Sequence, residues 1–210
     1  MNTEFFTSSL RRRVAREAAL LLYTMQEKEF KQAKKRAAKI LGLRIMPTNL
    51  EVAEELDSIA DEYEGVERKT RLIYMRKEAL EIMKSLREFN PRLIGSVWRG
   101  TANKHSDIDI VVFSQNNDSV IDILQRKGFT IARTEYTPAT KDGSNEVLHI
   151  FISLPSGDEA EIVVKDLEDM HREERCEIYG DQKRGLSINQ LSEILKTNPL
   201  QRFLPEKRRI

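Results

Sequence analysis

The sequence predicts an α+β fold, in which a small mixed β-sheet with flanking helices follows helical hairpins and precedes a short C-terminal helical extension. Three observations predict it. Up to Phe89 the apolar residues recur at helical spacing, beyond Pro91 short β-type runs alternate with loops and one helix, and after Ser187 helical spacing returns. Hydrophobic residues make up 40% and charged residues 33%, which excludes wholesale disorder and predicts a soluble chain. At 210 residues there is room for one domain with a substantial extension. The expected division is a helical region over 1–66, a core over 67–170 and an extension over 171–210.

Ser8 and Ser9 are the expected caps of a first helix, whose face is Val14, Ala18, Leu21 and Met25. Phe30, Ala33, Ala37, Ile40 and Leu41 continue that stripe until Gly42, a residue suited to the left-handed position beyond a helix end. Pro47 then interrupts. Thr48 with Glu51 three residues later is a capping box, opening a helix with Val52, Leu56, Ile59 and Tyr63 inward and Gly65 at its close. A further helix over 67–89 carries Leu72, Met75, Ala79, Ile82, Leu86 and Phe89 on one face.

After Asn90 and Pro91 the pattern changes. Leu93 and Ile94 lead into a Gly-Ser turn, and the β-branched run from Ile108 to Phe113 reads as a buried strand. A short helix is expected over 119–127, stopped by Gly128, then a strand over 130–136 and a polar loop over 137–145. Two β-type runs, 147–154 and 159–164, flank Pro155, Ser156, Gly157 and Asp158 and so form an antiparallel hairpin. A charged helical segment is expected beyond Lys165, leading to Tyr179 and Gly180. Ser187 with Gln190 caps a last helix bearing Leu191, Ile194 and Leu195, and residues 206–210 look frayed.

The net charge of +1 hides an uneven distribution. Basic residues dominate from Arg11 to Arg44, whereas Glu51 to Glu64 contains seven acids and no base. The simplest expectation is mutual neutralisation, and the sharper one is contact of the basic helices with RNA. No apolar segment is long enough to span a bilayer, none has the form of a signal peptide, and the single cysteine, Cys176, excludes an internal disulfide and any cysteine-cluster zinc site. A cytoplasmic protein is expected.

From Gly95 the sequence reads G-S-V-W-R-G-T-A-N-K-H-S-D-I-D-I. Two carboxylates two positions apart on a strand, Asp107 and Asp109, share one face while Ile108 and Ile110 enter the core. Left alone they would repel, so a divalent cation is the simplest partner, and hard oxygen donors open to phosphate suit Mg²⁺ or Mn²⁺. Gly95 and Ser96 precede a short helix, where backbone N–H groups and the Ser96 hydroxyl are placed to hold nucleotide phosphates, with Arg99 one turn later in reach of a phosphate or a carboxylate. Lys104 and Lys165 are further candidates for phosphate contact. His105, His149 and His171 are scattered and give no zinc pattern, His149 being placed for a cross-strand hydrogen bond. Trp98 is expected to pack against the sheet rather than stack on a base.

This block resembles the signature of the DNA polymerase beta superfamily of nucleotidyltransferases, with Gly95, Ser96, Arg99, Gly100, Thr101, Ser106, Asp107 and Asp109 at the pattern's positions. The resemblance implies the mixed sheet of that fold, a nucleoside triphosphate substrate, nucleotide-binding roles for Gly95, Ser96, Arg99 and Ser106, to which Lys104 is added as a candidate from its place in the block, and a third carboxylate on a strand beside Asp109. Glu161 fits as a lone acid in an otherwise apolar strand, although the family often has Asp there. Glu159 and Asp158 are the alternatives. The mechanism implied is a two-metal transfer of a nucleoside monophosphate to a hydroxyl, with Asp107, Asp109 and Glu161 as catalytic metal ligands. The acceptor, whether RNA, protein or small molecule, is not legible, and neither is the oligomeric state. The rival readings are a catalytically inactive nucleotide-binding or antitoxin-like regulatory module, and an RNA-binding protein using its basic N-terminal helices.

Overall fold

Five strands form one mixed sheet in the order β1-β2-β5-β4-β3 in the computed structural model, which describes residues 2–138 and 146–205, with side chains from Thr7 onward. The fold is α+β. The strands are β1 (Arg92–Ile94), β2 (Ile108–Phe113), β3 (Thr130–Thr137), β4 (Val147–Ser153) and β5 (Glu159–Lys165). The helices are α1 (Asn2–Tyr23), α2 (Phe30–Ile40), α3 (Asn49–Ser85), α4 (Gly95–Arg99), α5 (Asn117–Arg126) and α6 (Ile188–Thr197). β4 and β5 are the expected hairpin, with Ser153 opposite Glu159. β5 then runs parallel to β2, and β1 closes the other edge antiparallel to β2.

Period-two alternation decides which face is core. Ile108, Ile110 and Val112 of β2, Ala160, Ile162 and Val164 of β5, and Leu148, Ile150 and Ile152 of β4 are all buried. They join one cluster with Leu72, Met75, Ala79 and Ile82 of α3, Val120 and Leu124 of α5, and Leu191 and Ile194 of α6. Truncating one of these isoleucines to alanine would cost about 2–5 kcal/mol. The helices thus cover one face of the sheet, leaving the opposite face of β2 and β5 to carry Asp109, Val111, Phe113, Glu161, Val163 and Lys165.

Contacts divide the chain into two units. The first comprises residues 1–68, 103–105 and 176–181, and the second residues 69–102, 106–175 and 182–210. In the first, Val14, Ala18, Leu21, Ala33, Ala37, Val52 and Ile59 share a core, and the basic and acidic segments neutralise each other on its surface. Arg12 donates to Glu55 at 2.7 Å, Arg16 to Glu55 at 3.3 Å and to Glu62 at 2.7 Å, and Arg11 lies 3.8 Å from Glu51. Arg68 is buried between Asp57 and Asp61 at 2.7 and 2.6 Å. The Thr48–Glu51 capping box forms in both directions, at 2.7 and 3.1 Å.

Several boundaries differ from expectation. α1 runs through Ser8 and Ser9, because nothing from Asn2 to Thr7 breaks a helix. It stops at Tyr23, and Met25, left-handed at φ 57, is exposed rather than part of the stripe. Ile40 is also exposed. Tyr63 is 67% exposed and stacks on Tyr23 at 5.5 Å instead of entering the core. Gly65 breaks α3 at φ 55, ψ −126, as a terminator would. The charged segment after Lys165 forms only a 3₁₀ turn, Leu167–His171, since it has no apolar stripe to bury. The Ser187–Gln190 capping box does open α6. Most of the loop expected over 137–145, and the terminus at 206–210, lie outside the described residues.

Arg76, fully buried on α3, donates to the carbonyls of Val97, Trp98, Pro199 and Gln201 at 2.7–3.1 Å. Burial pushes its pKa down to about 10, so it stays charged at neutral pH. It ties the segment after α6 to α4. Arg76→Met leaves four carbonyls without donors and is expected to cost about 3–5 kcal/mol, lowering Tm by several degrees and opening residues 198–203 to protease. Thermal unfolding with limited proteolysis checks this, and an unchanged Tm would refute it.

Candidate active site

The register of two parallel strands builds the site. Asp107 immediately precedes β2 and Asp109 is its second residue, while Asp109 pairs with Glu161 and Ile108 with Ala160 across β2 and β5. Neighbouring strands stand about 4.8 Å apart, so the Asp109 and Glu161 side chains rise side by side from one face. Glu159 is two residues earlier on the same face, and Asp158 belongs to the turn. On the other side of β2, Ile94 of β1 pairs with Asp109, which brings Gly95 against the Asp109 carboxylate. Gly95 has φ 69, and a Cβ there would lie 1.8 Å from Asp109 Oδ2. The glycine makes room for the aspartate, a tighter constraint than the approach of phosphates expected of it.

Electrostatics follow from this crowding. Burial first, then Glu161 and Asp107, push the Asp109 carboxyl up to about 7. Asp107 is also raised, chiefly by burial and then by Glu159 and Glu161, with Arg133 acting in the opposite sense. The three candidates for a third carboxylate differ in their partners. Arg133 holds Glu159 through two bonds of 2.7 and 3.0 Å, and Arg71 pairs with Asp158. Glu161 has instead a histidine: His149 Nδ1 lies 2.5 Å from its Oε1, and His149 Nε2 lies 2.9 Å from the Thr137 hydroxyl. Glu159 and Asp158 are thus each paired with an arginine, whereas Asp107, Asp109 and Glu161 crowd together with no arginine or lysine ion pair among the described residues, so negative charge concentrates there once Asp109 ionises.

That charge and those hard oxygen donors fit a divalent cation. Among the described residues no three His, Cys, Asp or Glu side chains already converge as a cage. Glu161 is drawn toward His149, and joining the aspartates around one ion requires rotation of its side chain.

The other expected site residues fall in different places. Ser96 is half-buried in the first turn of α4, and Ser106 is the residue before Asp107. Arg99 is buried, lies 4.2 Å over the Trp98 ring, and donates to the Phe203 carbonyl at 2.9 Å. Its turn of α4 faces the C-terminal segment. The Lys104 ammonium lies 4.9 Å over the Tyr23 ring and its backbone N–H donates to Glu64 within the first unit. His105 meets the edge of Tyr23, His171 is exposed, and Lys165 pairs with Glu174. Trp98 is buried, as expected. His149 makes the expected cross-strand bond, but its partner, Glu161, follows only from a register across two strands. Arg133 and Arg71 were not anticipated, and no local pattern marks them.

Residues 76–169, the span that contains Gly95, Asp107, Asp109 and Glu161, match the nucleotidyltransferase domain family. Over that span the chain is similar to nucleotidyltransferase domains. Among solved structures, the domain is similar to the Cid1 poly(U) polymerase, at 16% identity over 44% of this chain and 30% of that one, TM-score 0.33. It is also similar to the GLD-2/RNP-8 complex, at 14% identity over 56% and 39%, TM-score 0.32. A cytoplasmic RNA terminal U-transferase matches at 16% identity over 55% and 34%, TM-score 0.28. The chain spans about a third of the length of these structures. No curated protein matches it. No described helix is long and apolar enough to cross a membrane.

Proposed function

We propose that the nucleotidyltransferase domain transfers a nucleoside monophosphate from a nucleoside triphosphate to a hydroxyl acceptor. One observation carries this reading: Asp109 and Glu161 stand side by side on parallel strands, next to Asp107, and among the described residues no arginine or lysine forms an ion pair with any of the three. These three carboxylates would hold Mg²⁺ or Mn²⁺. When bound, such an ion polarises the phosphates and lowers the proton affinity of the acceptor hydroxyl. In this reading Ser96 and the backbone of the first α4 turn hold the β- and γ-phosphates; the close approach of Gly95 to Asp109 supports it, by keeping that turn against the carboxylate. Glu161, paired with Asp109 across β2 and β5, is assigned the part of activating the acceptor hydroxyl in this reading. The acceptor oxygen attacks the α-phosphorus in line, the bond to the β-phosphate oxygen breaks, pyrophosphate leaves, and the hydroxyl proton passes to solvent. The single cysteine is the ground for a reducing, cytoplasmic setting.

The direct test is incubation of the purified protein with each labelled nucleoside triphosphate, Mg²⁺ or Mn²⁺, and a cell extract, followed by identification of the labelled fraction. Within it, Glu161→Gln separates catalysis from nucleotide binding. It should leave triphosphate affinity within a few-fold and cut transfer by on the order of a hundredfold, the range expected for a group acting mainly in the transition state. Glu159→Gln, whose carboxylate is held by Arg133, should change little. Equal losses in the two variants would remove Glu161 from its role.

A further inference from the structure

A cleft of about 460 Å³ opens on the carboxylate-bearing face, further along the strands that carry Asp109 and Glu161. Ile94, Val111 and Phe113 give it an apolar floor. Val111 follows Asp109 by two positions and Phe113 by four, so the floor begins about 7 Å from Asp109 and extends to about 13 Å on the same face. Lys165, on the rim, stands four positions beyond Glu161. The strand period therefore puts the floor of the cleft on the same face of the sheet as the candidate active site.

Its far wall is fixed in place. Leu186 and Leu93 exchange two backbone hydrogen bonds of 2.9 Å, which dock segment 182–186 on β1. Gly185, at φ 62, sits so close to β1 that a Cβ would lie 2.7 Å from the Leu93 carbonyl oxygen. A wall seated on backbone in this way is a built feature rather than a gap between mobile loops.

The rim carries more cations than it neutralises. Lys165 and Lys183 share Glu174, and Arg172 pairs with Asp169 at 3.5 Å. Two guanidinium groups are left. Arg92 is exposed on β1, the Arg184 guanidinium donates to the Gln182 side-chain oxygen at 3.1 and 3.0 Å, and neither has an acidic partner among the described residues. Glu173, exposed, is the remaining acid of the rim.

An apolar floor beneath two arginines without acids suits a group that is flat and apolar at one end and doubly charged at the other. Guanidinium groups match phosphate oxygens with paired donors, and concave sites combine apolar walls with a few such polar anchors. We propose that this cleft holds a phosphate-bearing nucleotide unit of the acceptor, with its base and sugar on Ile94, Val111 and Phe113 and its phosphate between Arg92 and Arg184. This rests on the nucleotidyl-transfer reading, in which the donor's phosphates occupy the Gly95–Ser96 turn and leave the cleft to the other substrate. The nucleotide is either free or the end of an oligoribonucleotide, and the experiment separates the two.

The test is a binding measurement on the full chain, without donor nucleotide and with chelator present, so it needs no catalysis. The probes are adenosine monophosphate and a fluorescent oligoribonucleotide of twelve residues. At least one should bind; binding of the oligoribonucleotide alone assigns the cleft to a chain end, and comparable binding of both assigns it to a single nucleotide. Arg92→Gln with Arg184→Gln should weaken that binding tenfold or more, and should reduce the slope of log affinity against log salt by about one to two. Triphosphate affinity measured with Mg²⁺ should stay within twofold. Arg92→Lys with Arg184→Lys should recover part of the loss, since charge returns without the paired donors. Failure of both probes to bind, or an unchanged double variant, overturns the proposal. A triphosphate affinity that falls as far as probe binding also overturns it, by giving the cleft to the donor. Probe binding without label transfer would instead refute the transfer reading while leaving the cleft's ligand in place.

Discussion

Asp109→Asn should abolish transfer and, at the same time, stabilise the metal-free protein above neutral pH. Both effects have one cause. The Asp109 carboxyl is raised to about 7, first by burial and then by Glu161 and Asp107, so it stays protonated in the metal-free fold well above the pH at which an unfolded aspartate ionises. A group whose folded pKa is raised contributes its full stability below the unfolded value, near pH 4, and loses it as pH rises through about 7. Wild-type stability should therefore fall between pH 5 and pH 8 by on the order of 2 kcal/mol, while that of the asparagine variant should not. Adding Mg²⁺ or Mn²⁺ at pH 8 should restore the wild type and leave the variant unmoved. Activity goes the other way: loss of the one carboxylate flanked by both partners should lower transfer by about three orders of magnitude or more, and with Asp107→Asn added, metal-dependent triphosphate binding should vanish in calorimetry. Chelator-insensitive triphosphate binding in the wild type, or equal pH profiles for wild type and variant, would refute the metal-bearing role of the pair.

Much of this site was legible because it depends on short-range patterns. A β-branched run from Ile108 to Phe113 predicts a strand, and strand period alone puts Asp107 and Asp109 on one face. Glu161 stood out as one acid amid Ala160, Ile162, Val163 and Val164, and the short Pro155 to Asp158 turn fixed its hairpin. Its exact neighbour was beyond sequence reasoning, because the parallel pairing of β2 with β5 joins residues about 52 positions apart and no turn sets that register. Long side chains were the weakest point. Arg99 and Lys104 lie in the signature block and look like phosphate ligands, yet one reaches the Phe203 carbonyl and the other a Tyr23 ring. Arg76 satisfies carbonyls more than 120 positions away. Which distant acceptor a buried cation finds depends on packing of whole elements, and nothing in its local sequence encodes it.

Gly95 is where sequence signature and site geometry meet, and Gly95→Ala should be nearly as damaging to transfer as loss of an aspartate. Two costs combine at this position. The left-handed backbone, φ 69, penalises any side chain by about 1 kcal/mol. The added methyl would also stand 1.8 Å from Asp109 Oδ2, 2.7 Å from its Cγ and 3.0 Å from its Cβ, a separation that no rotation of the methyl relieves. Either the carboxylate swings away from the face it shares with Glu161, or the β1–α4 turn lifts from β2 and carries Ser96 with it. Both outcomes separate groups that the proposed chemistry needs together, and a misplacement of about 1 Å can cost a hundredfold. Transfer should therefore fall by at least that factor, with weakened Mn²⁺ binding, while the sheet survives because its core lies on the other face. Gly128→Ala is the matched control: its φ of 83 imposes the same strain, but nothing lies within 4 Å of the new methyl. It should lose about 1 kcal/mol of stability and keep its activity. If the two variants lose activity equally, strain alone is responsible and the contact between Gly95 and Asp109 has no part in the site; if Gly95→Ala transfers normally, the carboxylate has room that the geometry denies it.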